Sequence, residues 1–302
     1  MYSGMILIFT PLVIGYLLPF TNKSYLDYVN RITHYLIYFI LFLMGLSLAA
    51  LDNLSSNLQL ILKIAATFFI TIGLANLLVL PILDKYFPVQ TESTAAKLPF
   101  HKMMMESVKL VLVVSSGLAI GLLSLFSLQW IDQTSEAVLL FLLLFIGIQL
   151  RNSGLTLKQI LINKHGMLIA VAIISTSLFG GYIASLMLEI DPFQGMAMAS
   201  GFGWYSLSGI LMGDAFGPVY GGASFILELA RELVALALIP MLVQRFPCTS
   251  IGYAGATAMD FTLPVIQSTG GIRCVPIAIV SGFILSLLVP VLMLLFVSLS
   301  GT

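Results

Sequence analysis

Five ionisable residues fall in apolar stretches of the C-terminal part of the chain: Asp214, Glu228, Arg231, Glu232 and Asp260. Glu228, Arg231 and Glu232 lie within Ser224–Ile239, and Asp260 lies within Gly255-Ala-Thr-Ala-Met-Asp-Phe-Thr-Leu-Pro264. A charged side chain near the middle of a bilayer costs at least a few kcal/mol, so it faces a partner or a water-filled cavity. Two such clusters point to a path for something polar.

Spacing narrows the chemistry. Glu228 and Glu232 are four apart and Arg231 is three from Glu228, so all three share one side of a helix. Arg231 neutralises one carboxylate locally, which leaves one negative charge, and Glu232 is nearest the middle of the run. A self-contained triad that locks helices together is the competing reading, but it does not explain Asp260. Asp260 is flanked by Thr257 and Thr262, with Gly255 before and Pro264 after, the pattern of an unwound turn that exposes carbonyls. Carboxylate, hydroxyls and carbonyls together suit a cation, either an organic ammonium or Na⁺. A buried carboxylate can instead take up and release a proton, and a simple half-helix cap is a third reading.

A second broken stretch, Met196–Gly209, carries Gly201, Gly203 and Gly209, the hydroxyls of Ser200, Ser206 and Ser208, and the flat walls of Trp204 and Tyr205. A half-helix starting at such a tip aims free N–H groups at an anion, for instance a substrate carboxylate. Close packing through small residues is the alternative.

The elements that position these residues are membrane helices. The chain has 302 residues, 59% hydrophobic and 9% charged, with a mean hydropathy of +1.07. Soluble domains run near 25% charged, so a large soluble domain is excluded. A net charge of zero gives no basic surface for nucleic acid. Cys248 and Cys274 make neither a disulfide scaffold nor a metal cage. His34, His101 and His165 fall at helix ends or loops, so no zinc site or cofactor is expected. The apolar start, Met1–Phe20, lacks a basic beginning and a cleavage site and reads as a retained helix.

Windows long enough to cross a bilayer lie near 4–20, 32–51, 58–83, 105–128, 136–150, 166–189, 220–244 and 273–299. Asp84–Met103 reads as a polar connector, and Pro81, Pro240 and Pro290 as kinks or helix ends. Placing the N-terminus outside puts 11 of the 13 basic residues on the cytoplasmic side (Lys23, Arg31, Lys85, Lys97, Lys102, Lys109, Arg151, Lys158, Lys164, Arg245 and Arg273), as the positive-inside rule requires. With Arg245 and Arg273 both inside, residues 192–219 and 248–272 read as re-entrant hairpins; two broken spanning helices are the alternative. The expectation is an all-α polytopic membrane protein of about eight transmembrane helices plus two re-entrant or broken segments, N-out and C-out.

Internal echoes point to inverted repeats. Leu51-Asp-Asn53 returns as Leu150-Arg-Asn152, Ile14-Gly15 as Ile120-Gly121, and Leu238-Ile-Pro240 as Leu288-Val-Pro290. Units that cross an odd number of times must be inverted copies, the build of secondary transporters. Residues 1–190 then form a six-helix scaffold of two inverted three-helix repeats, and 191–302 a transport core of two hairpin-plus-helix repeats.

Several long strings resemble one family. Gly147-Ile-Gln-Leu-Arg-Asn152, Leu155-Thr-Leu-Lys-Gln-Ile160, Ser200-Gly-Phe-Gly-Trp-Tyr-Ser-Leu-Ser-Gly-Ile-Leu211, Leu229-Ala-Arg-Glu-Leu233 and Gly255–Pro264 are similar to the bacterial lysine exporter family LysO, as are Phe42–Gly45, Leu51–Leu54 and Gln267–Gly271. The likeness runs essentially end to end, with no departure at the acidic positions. It implies a multi-pass inner-membrane exporter of L-lysine and its analogue thialysine, coupled to proton uptake, with both termini periplasmic and with Glu232 and Asp260 as the essential acids. It implies no enzyme activity. The residues alone leave open a Na⁺-coupled carrier or cation/proton antiporter on the same carboxylates, and a homodimer is also left open. The expected site set is Glu232, Asp260, Glu228, Arg231, Trp204, Tyr205, Ser206, Ser208, Thr257 and Thr262.

Overall fold

The computed structural model describes residues 2–18, 23–49, 54–91, 100–123, 130–152 and 163–301. They are helical throughout, 88% helix with no strand among the described residues. The helices are α1 (Tyr2–Leu17), α2 (Lys23–Ala49), α3 (Leu54–Tyr86), α4 (Phe100–Leu123), α5 (Trp130–Arg151), α6 (Lys164–Leu188), α7 (Pro192–Ala199), α8 (Tyr205–Phe216), α9 (Pro218–Leu242), α10 (Pro247–Ala254), α11 (Leu263–Gly270) and α12 (Cys274–Leu299), with a 3₁₀ turn at Gly255–Met259. Each of the eight apolar windows falls largely on a long helix. Among the described residues, four helices are long and apolar enough to cross a membrane: Ser24–Ala49, Ser55–Tyr86, Lys164–Leu188 and Cys274–Leu299. The strings Leu51–Asn53 and Leu155–Ile160, and the basic residues Lys97 and Lys158, lie outside the described residues.

One sequence expectation is corrected. Asp84 belongs to the last turn of α3 rather than to a polar loop, because α3 continues to Tyr86. Helices α3 and α12 run on through Pro81 and Pro290, whereas α9 stops two residues after Pro240.

The chain gathers into two compact units. The first holds the described residues of Met1–Ile61, Met105–Leu155 and Gly209–Gly222. Its helices meet backbone to backbone at glycines. A methyl group at Gly15 would strike the Leu144 carbonyl and one at Gly147 the Leu12 carbonyl, so α1 and α5 notch into each other. Gly45 and Gly117 do the same for α2 and α4 against the Val114 and Phe42 carbonyls. Small residues at helix crossings replace a hydrophobic driving force that lipid does not supply.

The second unit holds the described residues of Leu62–Met104, Thr156–Ser208 and Ala223–Thr302. Helix α6 is its spine and packs against α7, α10 and α12. Asn163 caps α6 by accepting from the Gly166 N–H, and Glu189 closes it in the left-handed conformation, φ 55°. Asp191 then caps α7 by accepting from Phe193 and Gln194. So α7 doubles back on α6, with Gly195 seated on Gly181 and Ser185. Gly180 lies against Ile72 of α3. In the same contact, buried Thr176 Oγ1 donates to Asn76 Oδ1 at 2.6 Å.

One end of this unit is tied together by polar contacts. Phe87 meets His165 edge-on at 6.4 Å. Asn163 donates to the Pro276 carbonyl at 2.9 Å, and Gln244 donates to the Thr269 carbonyl. Asp84 Oδ1 accepts from the Cys248 N–H at 2.6 Å, and Oδ2 accepts from the Thr249 N–H at 2.9 Å and hydroxyl at 2.6 Å. Phe246, at the N-cap of α10, offers no side-chain acceptor, so Asp84 satisfies that helix start from another helix. Gly270 meanwhile lies against Val243. The α10–3₁₀–α11 segment therefore leaves and returns at the same end.

Candidate functional site

Helix α9 carries Glu228, Arg231 and Glu232, with relative exposures of 0%, 2% and 2%. The i, i+3 spacing brings the Arg231 guanidinium to 3.1 Å from Glu228 Oε2. The same oxygen accepts from the Gly203 N–H at 2.5 Å. Gly203 belongs to the break between α7 and α8, so the acidic helix holds the first tip directly. A methyl group at Gly201 would lie 2.6 Å from Glu228 Oε1 and would also strike Ser208 Oγ. Only glycine leaves the carboxylate this seat.

The first tip is strained. Phe202 sits at φ 48° and Gly203 at φ 96°. A bulky residue in the left-handed region costs about 1–3 kcal/mol and persists only where its surroundings over-determine it. Here the Phe202 side chain is fully buried, and its carbonyl accepts from the Ala256 N–H at 2.8 Å. Gly255, at φ 66°, makes that approach possible, because a Cβ there would collide with the Phe202 carbonyl. The two broken segments thus join at Phe202 and Gly255–Ala256.

The second tip is braced from within. Thr257 Oγ1 donates to the Ala254 carbonyl at 2.9 Å, and Thr262 Oγ1 donates to the Thr257 carbonyl at 3.0 Å. Both hydroxyls keep their lone pairs for a further donor. Asp260 follows the 3₁₀ turn with an exposed side chain, and its Oδ1 accepts from the Phe261 N–H at 2.5 Å. Five residues of 3₁₀ helix rise about 10 Å, which sets Asp260 well beyond the Phe202–Gly255 junction.

Of the residues expected at the site, Glu228, Arg231 and Ser208 gather around the first tip. Trp204 is partly exposed, and its carbonyl accepts from Ser208 Oγ at 2.7 Å. Tyr205 packs edge-on to Phe225 with ring centres 6.0 Å apart. Ser206 is buried at 3% exposure. The anion that the Gly203 amide meets in this structure is the protein's own Glu228. Sequence reasoning missed this link, and it missed the strain at Phe202 and the cap by Asp84. The Gly-Phe-Gly string and the acid in the last turn of α3 were the signals available.

The chain is similar to known proteins over nearly its whole length. A model of the family described as "Lysine exporter LysO" matches residues 111–297. The lysine exporter LysO of Escherichia coli (strain K12) is 50% identical over 297 residues, covering 98% of this chain and 99% of that protein. A Haemophilus influenzae protein, provisionally named as a lysine exporter, is 42% identical over 190 residues, 63% of this chain and 97% of its own length. No solved structure matches the chain. Long apolar helices and relatives of this kind make it a multi-pass membrane transporter, and the chain belongs to the lysine exporter family LysO.

Proposed function

We propose that this protein exports L-lysine and related basic amino acids, thialysine among them, in exchange for protons by alternating access. The carrying observation is a buried carboxylate, Glu232, one residue beyond an ion pair in which Arg231 already neutralises Glu228. Glu232 and the exposed Asp260 hold either protons or the ammonium groups of the substrate. One acidic site cannot hold both at once, and that exclusion is the coupling. Protonation from the periplasmic side displaces lysine; deprotonation at the cytoplasmic side restores the binding state.

Trp204, Tyr205, Ser206 and Ser208 flank the substrate, and Thr257 and Thr262 offer acceptor lone pairs beside Asp260. Glu228 and Arg231 hold the first tip in place. The arms α10 and α11 are 8 residues each, about 12 Å long, which reaches roughly the middle of a ~30 Å hydrocarbon layer. That length, with both arms tied at one end, supports a re-entrant hairpin at 248–272, and we read 192–219 as its counterpart. The reciprocal glycine notches of α1 with α5 and of α2 with α4 support the repeat within residues 1–190. Both termini face the periplasm of the inner membrane in this reading.

The test is proton release from acidified everted vesicles on addition of lysine, thialysine, arginine or a neutral amino acid. Release with the basic substrates, abolished in Glu232→Gln and Asp260→Asn, supports the proposal. Labelled lysine flux with no proton movement overturns proton coupling and leaves the carboxylates as a Na⁺ or substrate-cation site.

A further inference from the structure

Arg231 meets Glu228 with one arm only. Its Nη1 makes the ion pair, while Nη2 is buried and has no hydrogen-bond partner among the described residues. A buried donor on a charged group carries its full desolvation penalty when nothing answers it, and native proteins leave few such groups without a use. In a carrier that alternates between two states, a donor covered in one state can meet its partner in the other.

The chemistry of the second arm selects that partner. Nη2 carries N–H donors and no acceptor, and a guanidinium suits carboxylate oxygens above other acceptors. Glu228 already balances the charge of Arg231, so a bare inorganic anion gains little there. An amino acid is different, because its carboxylate arrives with an ammonium on the same carbon and needs an acid beside the donor. Glu232 is that acid: next in the chain, it leaves α9 about 100° round from Arg231 and is as deeply buried. The Tyr253 hydroxyl, on α10, is near enough to feel the guanidinium's charge, and it adds another polar group to the surroundings of Arg231.

We propose that Arg231 is a specificity-determining residue that reads the substrate's α-carboxylate. Nη1 holds Glu228 and with it the first tip; Nη2 donates to a carboxylate oxygen while Glu232 takes the α-ammonium. The inference rests on the export reading above and leaves Asp260 to the side-chain ammonium. It makes the carrier a reader of α-amino acids rather than of diamines. Lysine without its carboxylate, 1,5-diaminopentane, keeps two ammonium groups but has nothing for Arg231 to hold.

The test is competition against labelled lysine entering acidified everted vesicles. In the parent chain, unlabelled lysine competes at least ~10-fold more strongly than 1,5-diaminopentane, the worth of a charge-assisted hydrogen bond. In Arg231→Met/Glu228→Gln that preference disappears and the KM for lysine rises at least ~10-fold, while flux at saturating lysine persists through Glu232 and Asp260. Arg231→Lys keeps a cation against Glu228 but has no second arm, so it loses the preference too; a residue that only held the tip would keep it. Where a variant carries no flux, the preference is read from the melting-temperature shifts that lysine and the diamine produce in micelles. Lysine flux without preference in the parent chain, or a preference unchanged in either variant, overturns this role of Arg231 and leaves lysine export standing. No lysine flux in the parent chain overturns both.

Discussion

Removing Arg231 separates the scaffold of the site from its working acid. Arg231 Nη1 and Glu228 Oε2 are 3.1 Å apart, and at an effective dielectric near 20 their attraction is about 5 kcal/mol. Desolvation of both groups offsets much of that gain, so the pair as a whole adds little stability, yet losing one partner costs about 3–5 kcal/mol. Arg231→Met leaves Glu228 buried with its charge and only the Gly203 N–H to answer it. The double variant Arg231→Met/Glu228→Gln removes both charges. Its glutamine carbonyl still accepts from the Gly203 N–H, and its cost falls to about 1 kcal/mol. Reversible unfolding in mixed micelles, run as a double-mutant cycle, therefore returns a coupling of at least ~2 kcal/mol. The double variant also retains lysine-driven proton flux, which Glu232→Gln does not. Additive effects within about 0.5 kcal/mol, or a folded double variant without flux, would refute the assignment of Glu228 and Arg231 as the hold on the tip.

Gly201→Ala drives a methyl group into Glu228 Oε1 and Ser208 Oγ. It lowers unfolding stability by about 1–3 kcal/mol with loss of lysine flux, whereas Gly213→Ala, with only an ordinary contact to Gly221 at 3.5 Å, changes stability by less than ~0.5 kcal/mol. Gly255→Ala meets both a positive φ and the Phe202 carbonyl; it costs at least ~1 kcal/mol and slows lysine flux in vesicles. Asp84→Ala uncaps the start of α10, costs about 0.5–2 kcal/mol, and raises the rate at which the buried Cys248 thiol is labelled; an unchanged rate would detach Asp84 from the hairpin.

Hydropathy made the long helices legible, because a run of about 20 apolar residues has few other uses. One cap obeys purely local rules, since Asp191 stands just before Pro192 at the start of α7. The acidic residues stood out because burying charge is costly wherever it occurs. Contacts between elements were not readable. Nothing local to Gly201 or Gly203 says that Glu228, 25 positions beyond Gly203, lies against them. Phe202 at positive φ runs against its own preference, and only tertiary burial enforces it. Asp84 carried a misleading signal, since acid and lysine side by side look like a loop, whereas the carboxylate caps a helix 164 positions away.

The most direct test of the central claim uses purified protein in liposomes with the cytoplasmic face outward. Labelled lysine is supplied outside, against a lysine-loaded and acidified lumen, with and without an opposing Na⁺ gradient. Proton antiport through Glu232 and Asp260 gives uphill lysine uptake that follows the pH difference, ignores Na⁺ and vanishes in Glu232→Gln. Uphill uptake that follows the Na⁺ gradient alone, or that survives in Glu232→Gln, would contradict it.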